Sequence, residues 1–164
     1  MPNVGDQTYV WYSHWDCEQT FRSQEIGLAM LRRDGFGYLS RHVPGLPGHC
    51  VTTAMLKSPQ GSRAFVNVSG VGEETPLTVE LLDESDRPLP GYSGRHAARI
   101  TEPGTRRDVI WPTAKDNLTP RAKTFSVRLT FPDSEDVRLY AVYLVPETRR
   151  VEDSPSNCVD ALHG

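Results

Sequence analysis

The residues of this chain best suited to chemistry are aromatic rings with polar neighbours: Trp11, Trp15, Tyr92 and Trp111, with Arg95, Asp116 and Asn117 in adjoining loops. Aromatic faces stack on pyranose rings while carboxylates, amides and guanidinium groups hydrogen-bond the hydroxyls, so Trp15, Tyr92, Arg95, Trp111, Asp116 and Asn117 form a candidate carbohydrate-binding set. Each ring also has a plainer reading. A Trp that ends an apolar strand, as Trp111 does, is commonly core. Trp15 can be buried against a neighbouring sheet, and the Tyr92 hydroxyl can tie its loop to the fold.

Other chemistries are less well served. His14, Asp16 and Cys17, and likewise His49 and Cys50, lack the ligand count and paired spacing of a zinc site. Asp83, Glu84 and Asp86 cluster in one turn, where oxygen ligands would suit a structural Ca²⁺, although acidic turn residues are most often simply solvated. His49 and Cys50 are adjacent on a strand and point to opposite faces, and Ser93 with His96 has no recognisable orienting acid. Glycoside hydrolysis needs two carboxylates across a cleft, and no specific pair stands out among the 21 acids. No catalytic residue and no cofactor is assigned, and the chain reads as a non-enzyme.

The bulk properties narrow the class. At 164 residues and 37% hydrophobic, the chain has the composition and length of one soluble domain with one core. Thirteen prolines and thirteen glycines favour many turns and an all-β chain. A net charge of −3 argues against nucleic acid as partner, and no apolar run approaches a membrane span. The start, MPNVGDQ, is polar where a signal peptide would be charged and then apolar. Three cysteines, Cys17, Cys50 and Cys158, allow one internal bridge at most. Asn67-Val68-Ser69 and Asn117-Leu118-Thr119 match the N-glycosylation tripeptide, the first inside an expected strand.

The elements that must position these groups are read from period-2 alternation bounded by Gly and Pro. Strands are expected over 7–16, 26–32, 36–41, 50–56, 64–68, 76–83, 96–100, 106–111, 124–131 and 137–145. In 7–16, Tyr9, Trp11 and Ser13 share one face and Val10, Tyr12 and His14 the other, so this strand expects cover on both sides. In 124–131, Phe125, Val127, Leu129 and Phe131 point inward. In 137–145, Leu139, Ala141, Tyr143 and Val145 oppose Arg138, Tyr140, Val142 and Leu144. Pro88 to Ser93 forms a stiff loop that carries Tyr92 to one end of a sheet, and the segment 147–164 lacks periodicity and is expected to be mobile. Nine or ten short antiparallel strands at regular turn spacing predict an all-β sandwich of jelly-roll type.

The order of motifs adds a family likeness. Ile26-Gly27-Leu28-Ala29 followed by Leu31-Arg32-Arg33-Asp34-Gly35-Phe36, then Thr52-Thr53, Phe65-Val66-Asn67-Val68, the run Leu77 to Asp83, the run Pro88 to Ser93, Val109-Ile110-Trp111 and Leu139-Tyr140 succeed one another. This order resembles the C-terminal β-sandwich that follows a five-bladed propeller in invertase-like and arabinanase-like glycoside hydrolases. The likeness spans about residues 26–145, and the run Tyr9 to Asp16 resembles the closing strand of the propeller. It implies a division into 1–25 as strand and connector, 26–146 as sandwich and 147–164 as tail, in a secreted or extracellular parent protein. The propeller supplies the catalytic carboxylates in such enzymes, so no catalytic residue carries over. The implied role is a non-catalytic carbohydrate-binding accessory module. The alternative is a structural domain that packs on a propeller or self-associates through its N-terminal strand, whose two apolar faces are adhesive.

Overall fold

The computed structural model describes residues 2–15, 24–41, 49–121 and 123–147; the side chains of His14, Trp15 and Gln24 are not among the described ones. The expected tail beyond 147 lies outside the described residues, as do Asp16, Cys17, Cys158 and the loop 42–48. The fold is all-β, with three antiparallel sheets in a sandwich-like arrangement.

Eleven strands occur among the described residues: β1 (Asn3–Val4), β2 (Gln7–Trp15), β3 (Gln24–Arg32), β4 (Cys50–Thr52), β5 (Leu56–Lys57), β6 (Ser62–Ser69), β7 (Leu77–Leu82), β8 (Ala98–Ile100), β9 (Gly104–Asp108), β10 (Thr124–Thr130) and β11 (Arg138–Pro146). One sheet has the order β4-β10-β7-β8, with β5 also pairing β10, and the second runs β11-β6-β9. Their inner faces meet in one core, to which β6 gives Ala64, Val66 and Val68, β7 gives Leu77, Val79 and Leu81, and β10 gives Phe125, Val127 and Leu129. The alternation that brings these residues inward is the one visible in the sequence. Burial of each large side chain stabilises the fold by roughly 1.5–3 kcal/mol.

Three expectations are corrected by local geometry. The span 36–41 makes only an isolated bridge, between Leu39 and Leu139. The span 106–111 is strand only as far as Asp108, after which Val109 and Trp111 turn into the core. In β11 the register slips between Leu139 and Ala141. One extra residue in a bulge reverses the facing of everything beyond it. Leu139, Val142 and Leu144 therefore pack on the core, and Tyr143 stands on the outer face beside Asn67 and Phe65 of β6.

The outer faces carry polar ties. Glu80 and Arg128 sit directly opposite across β7 and β10, with Arg128 Nη2 at 2.6 Å and Nε at 2.9 Å from Glu80 Oε2. The other carboxylate oxygen accepts the Gly94 N–H at 2.8 Å, which fastens the loop after Tyr92 to the sheet. Such a pair adds little net stability and chiefly fixes geometry.

The third sheet, β1-β2-β3, is a long two-stranded ribbon with a short third strand. β2 and β3 pair without interruption from Gln7↔Arg32 to Trp15↔Gln24. They form one unit, so the division expected at 25/26 runs through the middle of a paired element. Among the described residues, no strand of the other two sheets pairs with the ribbon in a ladder.

Candidate functional site

The structure separates the six residues proposed for carbohydrate. Trp111 is only 1% exposed, and its indole N–H donates to the Val79 carbonyl at 3.1 Å. Its ring is core and offers no face to a ligand, which corrects its place in the set. Tyr92 is half-buried edge-on against Trp111, with ring centroids 5.6 Å apart, and its hydroxyl donates to the Leu118 carbonyl at 3.0 Å. Burial raises the pKa of that phenol. The hydroxyl thus anchors the Pro-Gly loop.

Asn117 turns inward as well: its Oδ1 accepts the Trp111 N–H at 3.1 Å. It and Asp116 both adopt positive φ, at 53° and 57°, the left-handed region that Asn and Asp tolerate better than most residues. Asp116 is exposed and lines a depression of about 240 Å³ together with Tyr92, Lys115 and Arg121. Arg95 does not line that depression; it is exposed, and its Nε donates to His96 Nε2 at 3.0 Å. The backbone of Trp15 ends β2, and its side chain lies outside the described residues.

The acidic turn is occupied by backbone. Asp83 Oδ1 accepts the N–H groups of Ser85 and Arg87 at 2.8 and 2.9 Å, and the Arg87 and Ser85 amides lower its pKa. Among the described residues, no group of three or more His, Cys, Asp or Glu side chains is placed to hold a metal ion. Asp83 thus serves its own turn.

The ribbon carries an exposed apolar face. The β2–β3 register places Tyr9, Trp11, Ser13, Ile26, Leu28 and Met30 on one face. Trp11 is 65% exposed, Ile26 77%, Leu28 40% and Met30 59%. Scattered exposed apolar residues are ordinary, but an aligned group on one face marks an interaction surface. On the opposite face Tyr12 folds over Gly27, where a Cβ would lie 2.3 Å from Tyr12 Cζ. The missing glycine side chain is thereby covered by an aromatic ring.

A polar network holds the base of this ribbon on the outer face of β6 and β11. Arg32 Nε donates to Asn67 Oδ1 at 2.8 Å and Arg32 Nη2 to the Val68 carbonyl at 3.1 Å, while Asn67 Nδ2 donates to the Arg33 carbonyl at 2.5 Å. The Arg32 guanidinium also lies 4.9 Å from the ring centroid of Tyr140. Asp34, at φ 53°, accepts from the Tyr143 hydroxyl and from Asn3 Nδ2, and its own N–H donates to Thr8 Oγ1 at 3.1 Å. The Tyr143 hydrogen bond, with Asn3 and Arg33 assisting, lowers the Asp34 pKa; burial, with Asp34 beside it, raises that of Tyr143. Thr105 of β9 donates to Asp6.

This network was not legible as such in the sequence. Asn67 matches a glycosylation tripeptide but is fully buried, so its amide is a structural joint and is closed to modification. The available signal was an amide inside the apolar alternation Phe65-Val66-Asn67-Val68, since a buried polar group requires a partner. Comparison with known proteins gave no matching family model, no matching curated protein and no matching solved structure.

Proposed function

We propose that this chain is a non-catalytic β-sandwich accessory module whose working surface is the apolar face of the β2–β3 ribbon, through which it packs on another β-rich domain of a carbohydrate-active protein. The observation that carries this reading is the alignment of Trp11, Ile26, Leu28 and Met30, all exposed, on a ribbon whose Gln7↔Arg32 end is tied to β6 and β11. Burying that face stabilises a complex by the same area-proportional effect that builds the core. The anchored base supplies pre-organisation, so little ordering cost falls on the docking step. The carbohydrate context rests on the family likeness of the motif order.

Sugar binding by the module itself is the second reading, favoured by the depression that Tyr92 and Asp116 share with Lys115 and Arg121. Titration with oligosaccharides, followed through Tyr92→Ala and Asp116→Ala, tests it; saturable binding abolished by both variants supports it, and no binding of any sugar removes it.

The docking reading is tested by titrating the protein with an apolar fluorescent dye. The wild type binds the dye, and the variant Trp11→Ser/Ile26→Ser/Met30→Ser loses most of that binding. Equal dye binding by the two proteins would contradict it.

A further inference from the structure

The ribbon has a free edge as well as an apolar face, and the hydrogen-bond pattern shows which groups that edge presents. The Arg33 N–H donates to the Asp6 carbonyl at 2.7 Å, and the Tyr9 N–H turns the other way, to the Pro2 carbonyl at 3.1 Å. Even-numbered residues of β2 therefore aim their backbone groups at β3, and through the register Thr8↔Leu31, Val10↔Ala29, Tyr12↔Gly27 the odd-numbered residues of β3 return them. The even-numbered residues Ile26, Leu28 and Met30 then point their N–H and C=O groups outward. These are the same residues whose side chains form the apolar face. Among the described residues no strand pairs with this edge. Nor does it carry any of the usual protections, since Ile26 to Leu31 contains no proline, no charge and no register slip.

We infer that this edge pairs with the same edge of a second copy of the chain, antiparallel, about a two-fold axis at Leu28. The inference rests on the docking reading of the ribbon and adds a second copy of the chain at its edge. Leu28 is the midpoint of Gln24–Arg32, so pairing over the full strand sets Leu28 opposite Leu28 of the copy, Ile26 opposite Met30 and Gln24 opposite Arg32. In this register Ile26, Leu28 and Met30 meet one another, Glu25 faces Leu31 on the opposite side of the sheet, no like charges face each other, and outward groups meet outward groups. Each of the three central pairs exchanges two hydrogen bonds, about six in all. The axis preserves the faces, so Trp11, Leu28 and their copies form one continuous apolar band across four strands.

The antiparallel arrangement sets the two sandwiches at opposite ends of the paired ribbons. Each ribbon joins its sandwich at the Gln7↔Arg32 end, and an antiparallel copy puts its own sandwich at the other end of a ribbon about 30 Å long. The interface is isologous, with one patch used by both subunits.

The experiment is light scattering of the full chain over a concentration series, with two sets of variants. The wild type is expected to reach twice the monomer mass. Leu28→Lys sets two charges against each other at the axis and is expected to weaken association at least tenfold with the β-rich circular dichroism unchanged. In a full chain with Cys17, Cys50 and Cys158 replaced by Ser, Leu28→Cys oxidises to a covalent dimer, because directly opposed residues lie within disulfide reach. Ile26→Cys alone does not, and an equimolar mixture of Ile26→Cys and Met30→Cys does. A monomer at every concentration, or equal cross-linking by Leu28→Cys and Ile26→Cys, overturns the pairing. A monomeric wild type that still binds the apolar dye through Trp11, Ile26 and Met30 removes the second copy as partner and leaves the docking reading intact; dye binding indifferent to those residues removes the docking reading itself.

Discussion

Asn67 joins two parts of the molecule that share no strand pairing, and its replacement measures that joint. Asn67→Ala leaves Arg32 Nε and the Arg33 carbonyl without their partner. An unsatisfied buried group costs about 1–3 kcal/mol, and the loss should appear as faster hydrogen exchange at Leu31 to Asp34 ahead of any change in the core strands. Equal acceleration throughout the sandwich would show that Asn67 supports the core and not the joint. Asp34 gives the same joint a pH dependence. Its folded pKa lies below the ordinary 3.8, so its contribution is present above the unfolded value and is lost as pH falls through the lowered folded value. Tyr143, raised above 10.0, acts with the opposite sign: its contribution is complete below the ordinary phenol value and is lost as pH rises past it. Protection at Leu31 to Asp34, taken relative to the intrinsic exchange rate at each pH, should therefore fall at both ends of the pH range, and Tyr143→Phe should remove the alkaline fall. A fall in alkaline protection that persists in Tyr143→Phe would assign it to another group. In the sequence these residues stood in separate strands and motifs with nothing to join them, because a hydrogen-bond network between distant segments leaves no periodic trace.

Among the elements, those with strict alternation were read correctly and those with a local irregularity were not. The inward set Phe125, Val127, Leu129 and Phe131 follows from the pattern of β10 alone, and all four are buried. In β11 the same rule fails after the bulge, since Tyr140-Ala141-Val142-Tyr143-Leu144 is apolar on both faces and gives no indication of where the slip occurs. Ser126 alternates with Phe125, Val127, Leu129 and Phe131 yet is 1% exposed. The turn after β6 is another element whose requirement is local. Gly70 adopts φ 74°, and a Cβ there would lie 2.0 Å from the Asp136 carbonyl oxygen. Gly70→Ala is expected to lower stability by more than the ~1 kcal/mol of an ordinary glycine exchange, because it meets backbone and requires the turn before β11 to move. Chemical denaturation measures this, and a cost below that figure would mean the turn yields easily.

At the scale of the whole molecule, the sandwich and the ribbon follow different rules. The sandwich closes two sheets on one core, and its fold class could be read from strand count, turn spacing and composition. The candidate carbohydrate set could not be judged that way, because whether Trp111 and Tyr92 offer a ring face is decided by how β7 and the segment around Leu118 pack on them. The ribbon was half legible: two apolar faces on 7–16 called for cover on both sides, and among the described residues Trp11 on one face and Tyr12 on the other stand exposed. On the proposed reading the apolar face meets a partner and the core does not depend on it. Thermal unfolding in dilute solution of Trp11→Ser/Ile26→Ser/Met30→Ser against the wild type tests that claim most directly. Independence of the core predicts melting temperatures within a few degrees, corresponding to less than about 1 kcal/mol for a chain of this size. A loss of several kcal/mol, the amount expected when three core side chains are removed, would place the stripe inside the folding core and contradict the account.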